Sequence, residues 1–172
     1  MIGTSLSSHS AIEIQYIMNL STKLFLKESI EIELNTGDLY QLFSVKFPID
    51  YDFWWKIAME EINHAALIES INDIFLTEEI LPLDTIEKRT EDLQKMNQSI
   101  KERIEYFKLF PPTRPESFKF GIEIENSIGE VHFELFMRQK PNSQMSEIFQ
   151  RLNGDDINHA QRIENYLKKI SV

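Results

Sequence analysis

The chain has 172 residues, 42% hydrophobic and 27% charged, a balance that suits one globular domain with a sizeable core. Its net charge of −10, from 18 basic and 28 acidic residues, argues against nucleic acid as the main partner and is compatible with attraction for cations. Cysteine is absent, which excludes disulfides, thiolate chemistry, iron–sulfur clusters and any Cys-ligated iron centre of the rubredoxin type, and permits a reducing compartment.

The N-terminal stretch has no basic residue before Lys23, and Glu13 interrupts its apolar residues, so it lacks the layout of a signal peptide. No apolar run approaches the roughly 20 residues that a membrane span requires. The expectation is a soluble cytoplasmic protein with no membrane partner. Residues 1–20 show apolar spacing that suits neither helix nor strand cleanly, and are read as an N-terminal extension, with a helical lead-in as one form open to it; residues 21–172 form the domain.

From about Ser21 to Phe47 apolar residues recur at helical spacing: Leu24, Phe25, Ile32, Leu39, Leu42 and Phe43. Pro48 ends that helix, and Asp50 or Asp52 can cap the next, expected from about Asp52 to Phe75. In this second helix Trp54, Ile57, Glu61, His64 and Ile68 share one stripe, so an acid and a histidine lie where core residues belong. Leu81-Pro82-Leu83-Asp84 breaks the chain before a third, half-exposed helix to about Phe110, which reads as a long crossover. Pro111, Pro112 and Pro115 stop it. A fourth helix spans about Glu116 to Gln139, ended by Pro141, and a fifth runs from Ser143 or Ser146 to Ile170. The stripe of the fifth is Met145, Phe149, Leu152, Asp156, His159, Ile163 and Leu167, with Gly154 as a soft spot.

The second and fifth helices carry related motifs, Glu60-Glu61-Ile62-Asn63-His64-Ala65 and Asp155-Asp156-Ile157-Asn158-His159-Ala160. An acid three residues before a histidine puts both side chains on one helical face, about a turn apart, where they can hold one divalent metal. Dinuclear carboxylate bundles use two such motifs and one further Glu from each of two other helices. An internal repeat supplies those acids: Ile30-Glu31-Ile32-Glu33 recurs as Ile122-Glu123-Ile124-Glu125, followed by Gly37-Asp38-Leu39-Tyr40 and Gly129-Glu130-Val131-His132. Glu31 and Glu123 compete for the role; Glu33 and Glu125 are preferred because they share a face with Thr36 and Leu39/Tyr40, and with Ile128 and His132.

On these segments, over about residues 21–170, the chain resembles the ferritin-like superfamily and is closest to rubrerythrin-like proteins. The stretch Phe47-Pro48 … Phe53-Trp54 … Ala58-x-Glu60-Glu61-x-x-His64-Ala65 adds to the likeness. The resemblance implies an all-α, ferritin-like four-helix bundle with an additional helix in its crossover. It implies metal ligands Glu33, Glu61, His64, Glu125, Asp156 and His159, with Glu61 and Asp156 bridging two metals. Glu33 with His64 would complete one site, and Glu125 with His159 the other. The cofactor expected is two iron ions, with manganese, zinc or cobalt as substitutes for the same donors.

The chain departs from the family in three respects. Asp156 stands where Glu is general, Ile128 stands where rubrerythrins carry an additional Glu, and the Cys-ligated iron domain is missing. Any reductant must therefore come from an external donor. The function expected is oxidation of Fe(II) by dioxygen or hydrogen peroxide, of oxidase, peroxidase or ferroxidase type. The alternatives are a non-catalytic iron-binding, sensing or sequestering protein, and a partner-binding bundle with a vestigial site; a homodimer is allowed. A buried polar network without metal is the bland reading of the six ligands, disfavoured because four carboxylates in one core repel each other unless neutralised. Glu60 and Asp155 either orient the histidines or lie on a solvated face. Tyr40 and His132 are read as core residues first and as hydrogen-bond partners near the metals second. Trp54 and Trp55 are assigned to packing or an interface, and His9 to no chemistry.

Overall fold

Pro48 closes the first helix, because it lacks the N–H that would continue the hydrogen-bond ladder. The chain turns there through a single 3₁₀ turn, Pro48–Asp50, and enters the next helix at once. The computed structural model describes residues 8–70, 83–137 and 144–170, as five helices: α1 (Ser8–Lys46), α2 (Tyr51–Ser70), α3 (Leu83–Leu109), α4 (Arg114–Met137) and α5 (Gln144–Ile170). The protein is an all-α bundle. No helix among the described residues is long and apolar enough to cross a membrane.

The short turn makes α1 and α2 an antiparallel hairpin, and α4 packs on α5 in the same sense. The two hairpins face each other, and α3 lies outside them against α1. α3 is held there by a buried polar clasp. The Asn97 side-chain amide donates to the Glu28 carbonyl (2.9 Å) and carboxylate (3.0 Å), and accepts from the Asn35 amide (2.7 Å). Lys101 on α3 also reaches Glu31 on α1, at 2.8 Å. Satisfied buried amides fix the register of α3 more sharply than apolar packing alone would.

The start of α4 has its own local logic. Both the backbone N–H and the hydroxyl of Thr113 donate to Glu116 Oε2, at 2.8 and 2.7 Å, as in a capping box. Pro115 therefore does not stop a helix as expected; it sits in the first turn of α4, where the missing N–H costs nothing. α1 runs continuously from Ser8 through residue 20, so the described part of the N-terminal extension is a helical lead-in. Tyr16, Leu20 and Leu24 recur every fourth residue on that extension but face solvent, so Leu24 is not the core residue its spacing suggested. The expected end of the second helix at Phe75, the break at Leu81-Pro82 and the stop at Pro141 lie outside the described residues, as do the side chains of His9, His132 and Met145.

The core has an aromatic end and a polar middle. Trp54 is fully buried among Tyr40, Phe43, Phe53 and Phe118. Gly121 permits the close approach of α4 here, since a Cβ would lie 3.2 Å from Trp54 Cη2 and 3.3 Å from Ile163 Cδ1. Gly37 does the same for α1 and α2, where a Cβ would lie 3.3 Å from the Ala58 carbonyl oxygen. At the aromatic end Arg114 forks onto Asp50 through two 2.7 Å bonds, tying the start of α4 to the turn between α1 and α2.

Candidate metal centre

The apolar stripes of α2 and α5 bring Glu61, His64, Asp156 and His159 into the centre of the bundle, where all four are buried. Glu33 from α1 and Glu125 from α4 are buried at the same level. Their competitors lie outward: Glu31 is half-exposed and paired with Lys27 and Lys101, and Glu123 is exposed.

Two groupings of donor atoms result, each with its ligand atoms within 4.8 Å of one another: Glu33, Glu61, His64 and Asp156 in one, and Glu61, Glu125 and His159 in the other. Glu61 belongs to both. Its Oε2 lies 3.1 Å from His64 Nδ1 and its Oε1 lies 2.7 Å from His159 Nδ1. His64 Nδ1 is also 3.6 Å from Glu33 Oε2 and 4.0 Å from Asp156 Oδ1, and His159 Nδ1 is 3.7 Å from Glu125 Oε2. The two imidazoles stack, with ring centroids 5.4 Å apart. Glu61 is common to both groupings, while Asp156 falls in the His64 grouping.

The opposite edges of the rings face the acids that precede the ligand acids, each from the other half of the bundle, and the His159 ring is held by a hydrogen bond. His159 Nε2 donates to Glu60 Oε2 at 2.9 Å, and His64 Nε2 lies 3.7 Å from Asp155 Oδ2. Arg162 completes the first of these contacts by an ion pair with Glu60. Sequence reading missed Arg162; the available signal was its position three residues after His159, on the same face of α5. Tyr40 also crosses, its hydroxyl donating to Glu125 Oε1 at 2.6 Å. It is thus both a core residue and a partner of a candidate ligand. An open cleft of about 450 Å³, with Asn63, Asn158, Arg151 and Arg162 in its walls, adjoins the outer edges of both histidines.

The electrostatics follow from crowding these groups in a dry core. Burial pushes the Glu33 carboxyl up to about 7 and, helped by the Glu61 charge, the Glu125 carboxyl up to about 8. Burial and the neighbouring carboxylates Glu33, Glu125 and Glu61 raise Asp156 well above its ordinary value. Burial opposes the charge on Glu61 too, but the two close imidazoles outweigh it and bring its carboxyl down to about 2. Burial likewise works against the imidazolium forms, yet contacts with Glu33 and Glu61 raise His64 to about 10, and contacts with Glu125 and Glu61 raise His159 to about 11. Without metal, protons supply the positive charge that keeps these carboxylates together.

The donor set fits a metal centre. Glu61 Oε1, Glu125 Oε2, His159 Nδ1 and both Asp156 oxygens are sealed from solvent without a hydrogen-bond partner among the described residues. Glu61 Oε1 and His159 Nδ1 nonetheless lie 2.7 Å apart, close without hydrogen-bond alignment. Buried polar atoms are normally paired, and atoms that converge without bonding one another suit a cation between them. Carboxylate oxygens with imidazole nitrogens suit iron, manganese or zinc.

No family model, curated protein or solved structure matches this chain.

Proposed function

We propose that the protein is a ferritin-like, rubrerythrin-like dinuclear metal protein that oxidises Fe(II) with dioxygen or hydrogen peroxide. The observation that carries this reading is the position of Glu61, whose two oxygens address histidines from opposite halves of the bundle. Glu33, Glu61, His64 and Asp156 would hold one ion, and Glu61, Glu125 and His159 the other. Two iron ions there would supply electrons to the oxidant by passing from ferrous to ferric, and manganese or zinc would suit the same donors. Glu60 keeps the His159 imidazole plane in place from its outer edge, which leaves the Nδ1 lone pair of that ring facing the carboxylates once the ring is neutral. Tyr40 holds one oxygen of Glu125 and leaves the other for a metal.

The test is anaerobic titration of metal-free protein with ferrous ion, followed by air or peroxide. The expected result is two ions bound per chain and rapid oxidation that repeats when ferrous ion and oxidant are renewed. Binding without oxidation would support an iron-sequestering or sensing protein instead. Absence of stable binding would overturn both readings.

A further inference from the structure

We propose that the cleft between the end of α3 and the start of α4 binds a free aromatic amino acid. The cleft has a volume of about 420 Å³, shares no residue with the candidate metal centre and stands independently of the metal reading. Helical spacing makes it. Arg103, Tyr106, Phe107 and Phe110 fall at i, i+3, i+4 and i+7 on α3, and Glu116, Lys119, Phe120 and Glu123 repeat that spacing on α4. Pro111 and Pro112 join the two helices at one end and restrict the backbone there, which favours a preformed site.

The rings suit the side chain of such a ligand. Phe107 and Phe120 meet edge to face on the buried side, with centroids 5.4 Å apart. Tyr106 and Phe110 are 52% and 61% exposed and pack on each other at 5.2 Å. Exposed rings beside a cleft leave apolar area that another ring can cover.

The charges suit its head group. The Arg103 guanidinium lies over the Phe120 and Phe107 rings, at 5.1 and 5.6 Å, which restrains its plane. Its N–H groups have no hydrogen-bond or ion-pair partner among the described residues, whereas Arg114, Arg151 and Arg162 each have a carboxylate. The Glu123 carboxylate, one turn beyond Phe120 on α4, is exposed and also has no partner among the described residues. Opposite charges that line one cleft without pairing suit a ligand that brings one of each. A ligand carboxylate accepts the fork of N–H groups from Arg103, with Lys119 as a second cation beside it, and a ligand ammonium donates to Glu123. Glu116 does not compete for that ammonium, since Thr113 already holds its Oε2. An amino acid carries both charges on the one carbon that bears its side chain, so an aromatic one meets the rings and both charges at once. The cleft beside the histidines offers no such match, because its Arg162 and Glu60 are already paired.

Titration calorimetry of the 172-residue chain with L-phenylalanine tests this, beside two ligands that each lack one charge. 3-Phenylpropionate has no ammonium, and phenethylamine has no carboxylate. L-Phenylalanine should bind at one site per chain, and each of the other two at least about tenfold more weakly, as expected when a charged hydrogen-bond partner is removed. Arg103→Gln should weaken L-phenylalanine by at least about tenfold and leave phenethylamine unchanged. Glu123→Gln should weaken L-phenylalanine to the same extent and leave 3-phenylpropionate unchanged. Melting curves report the folding of both variants separately. Failure of L-phenylalanine to bind, or equal affinity in both variants, overturns the proposal. So does binding of N-acetyl-L-phenylalanine amide as tightly as the free amino acid, which would make the cleft a docking site for a peptide instead.

Discussion

Glu60 on α2 accepts a hydrogen bond from His159 on α5, so a ring from one half of the bundle is positioned by an acid from the other. Burial works against the charge on Glu60, but Arg162 and His159 lower its pKa, so it is an anionic acceptor at neutral pH. An acceptor on Nε2 fixes the ring plane and makes Nδ1 a better donor to a metal. Glu60→Ala should therefore weaken metal affinity by about 10- to 100-fold. Glu60→Gln, which keeps an oxygen in reach, should weaken it less. Competition against a chelator of known affinity measures both, and an unchanged affinity in Glu60→Ala would remove the positioning role.

The position of Glu61 in both groupings gives a stoichiometric prediction. His64→Ala and His159→Ala should each reduce binding from two ions per chain to one, or to none where the sites depend on each other. Glu61→Ala should lose both. Equilibrium dialysis with metal analysis reads the number directly. Full occupancy in both histidine variants would show that the donor set is wrong.

Protons on the crowded carboxyls and imidazoles of this core make its stability depend on pH. Glu33 and Glu125 have folded-state values raised from the usual 4.5 to about 7 and about 8, and Asp156 is raised as well. His64 and His159 are raised from 6.5 to about 10 and about 11. A raised group favours the folded state fully below its unfolded value and loses that contribution as pH rises through the folded value. The carboxyls thus withdraw stability from about pH 4.5 to 8, and the histidines from about 6.5 upward. Glu61, lowered to about 2, acts in the opposite sense, and only as pH falls below 4.5. Metal-free protein should therefore show urea midpoints that fall from mildly acidic to alkaline pH. Loaded protein should reverse the trend, because metal displaces those protons and binds more tightly as pH rises. Equal pH profiles with and without metal would contradict this account.

Periodicity made the inward side chains legible. Trp54, Ile57, Glu61, His64 and Ile68 fall on one helical stripe, and all are buried. The repeat brought Glu33 and Glu125 forward on the same principle, and both are buried. What crosses between helices was not legible. That Glu60 meets His159, or that Tyr40 meets Glu125, depends on the relative height and rotation of two hairpins, and no local spacing encodes it. The N-terminal part of α1 was obscured for another reason: its apolar residues Tyr16, Leu20 and Leu24 repeat on a solvent-facing side, so there is no contrast between faces to read. Pro115 misled because a proline in a first turn and a proline after a last turn look alike until the Thr113–Glu116 cap is seen.

Two glycines test the packing with one substitution and opposite signs. Gly154 lies within α5 on an exposed face, and a Cβ there would meet no atom of the described residues within 4 Å. Neither glycine has positive φ, so alanine strains neither backbone. Gly154→Ala should stabilise the protein by about 0.5–1 kcal/mol through helix propensity alone. At Gly121 the same methyl would press on Trp54 Cη2 at 3.2 Å and Ile163 Cδ1 at 3.3 Å. Trp54 cannot yield, because Tyr40, Phe43, Phe53 and Phe118 surround it. The propensity gain is then outweighed by overpacking, and Gly121→Ala should destabilise by about 1–3 kcal/mol. Chemical denaturation of metal-free protein measures both changes. Stabilisation by Gly121→Ala would mean that α4 stands further from Trp54 than this packing requires, and that the stacked rings beside Glu125 are looser than described.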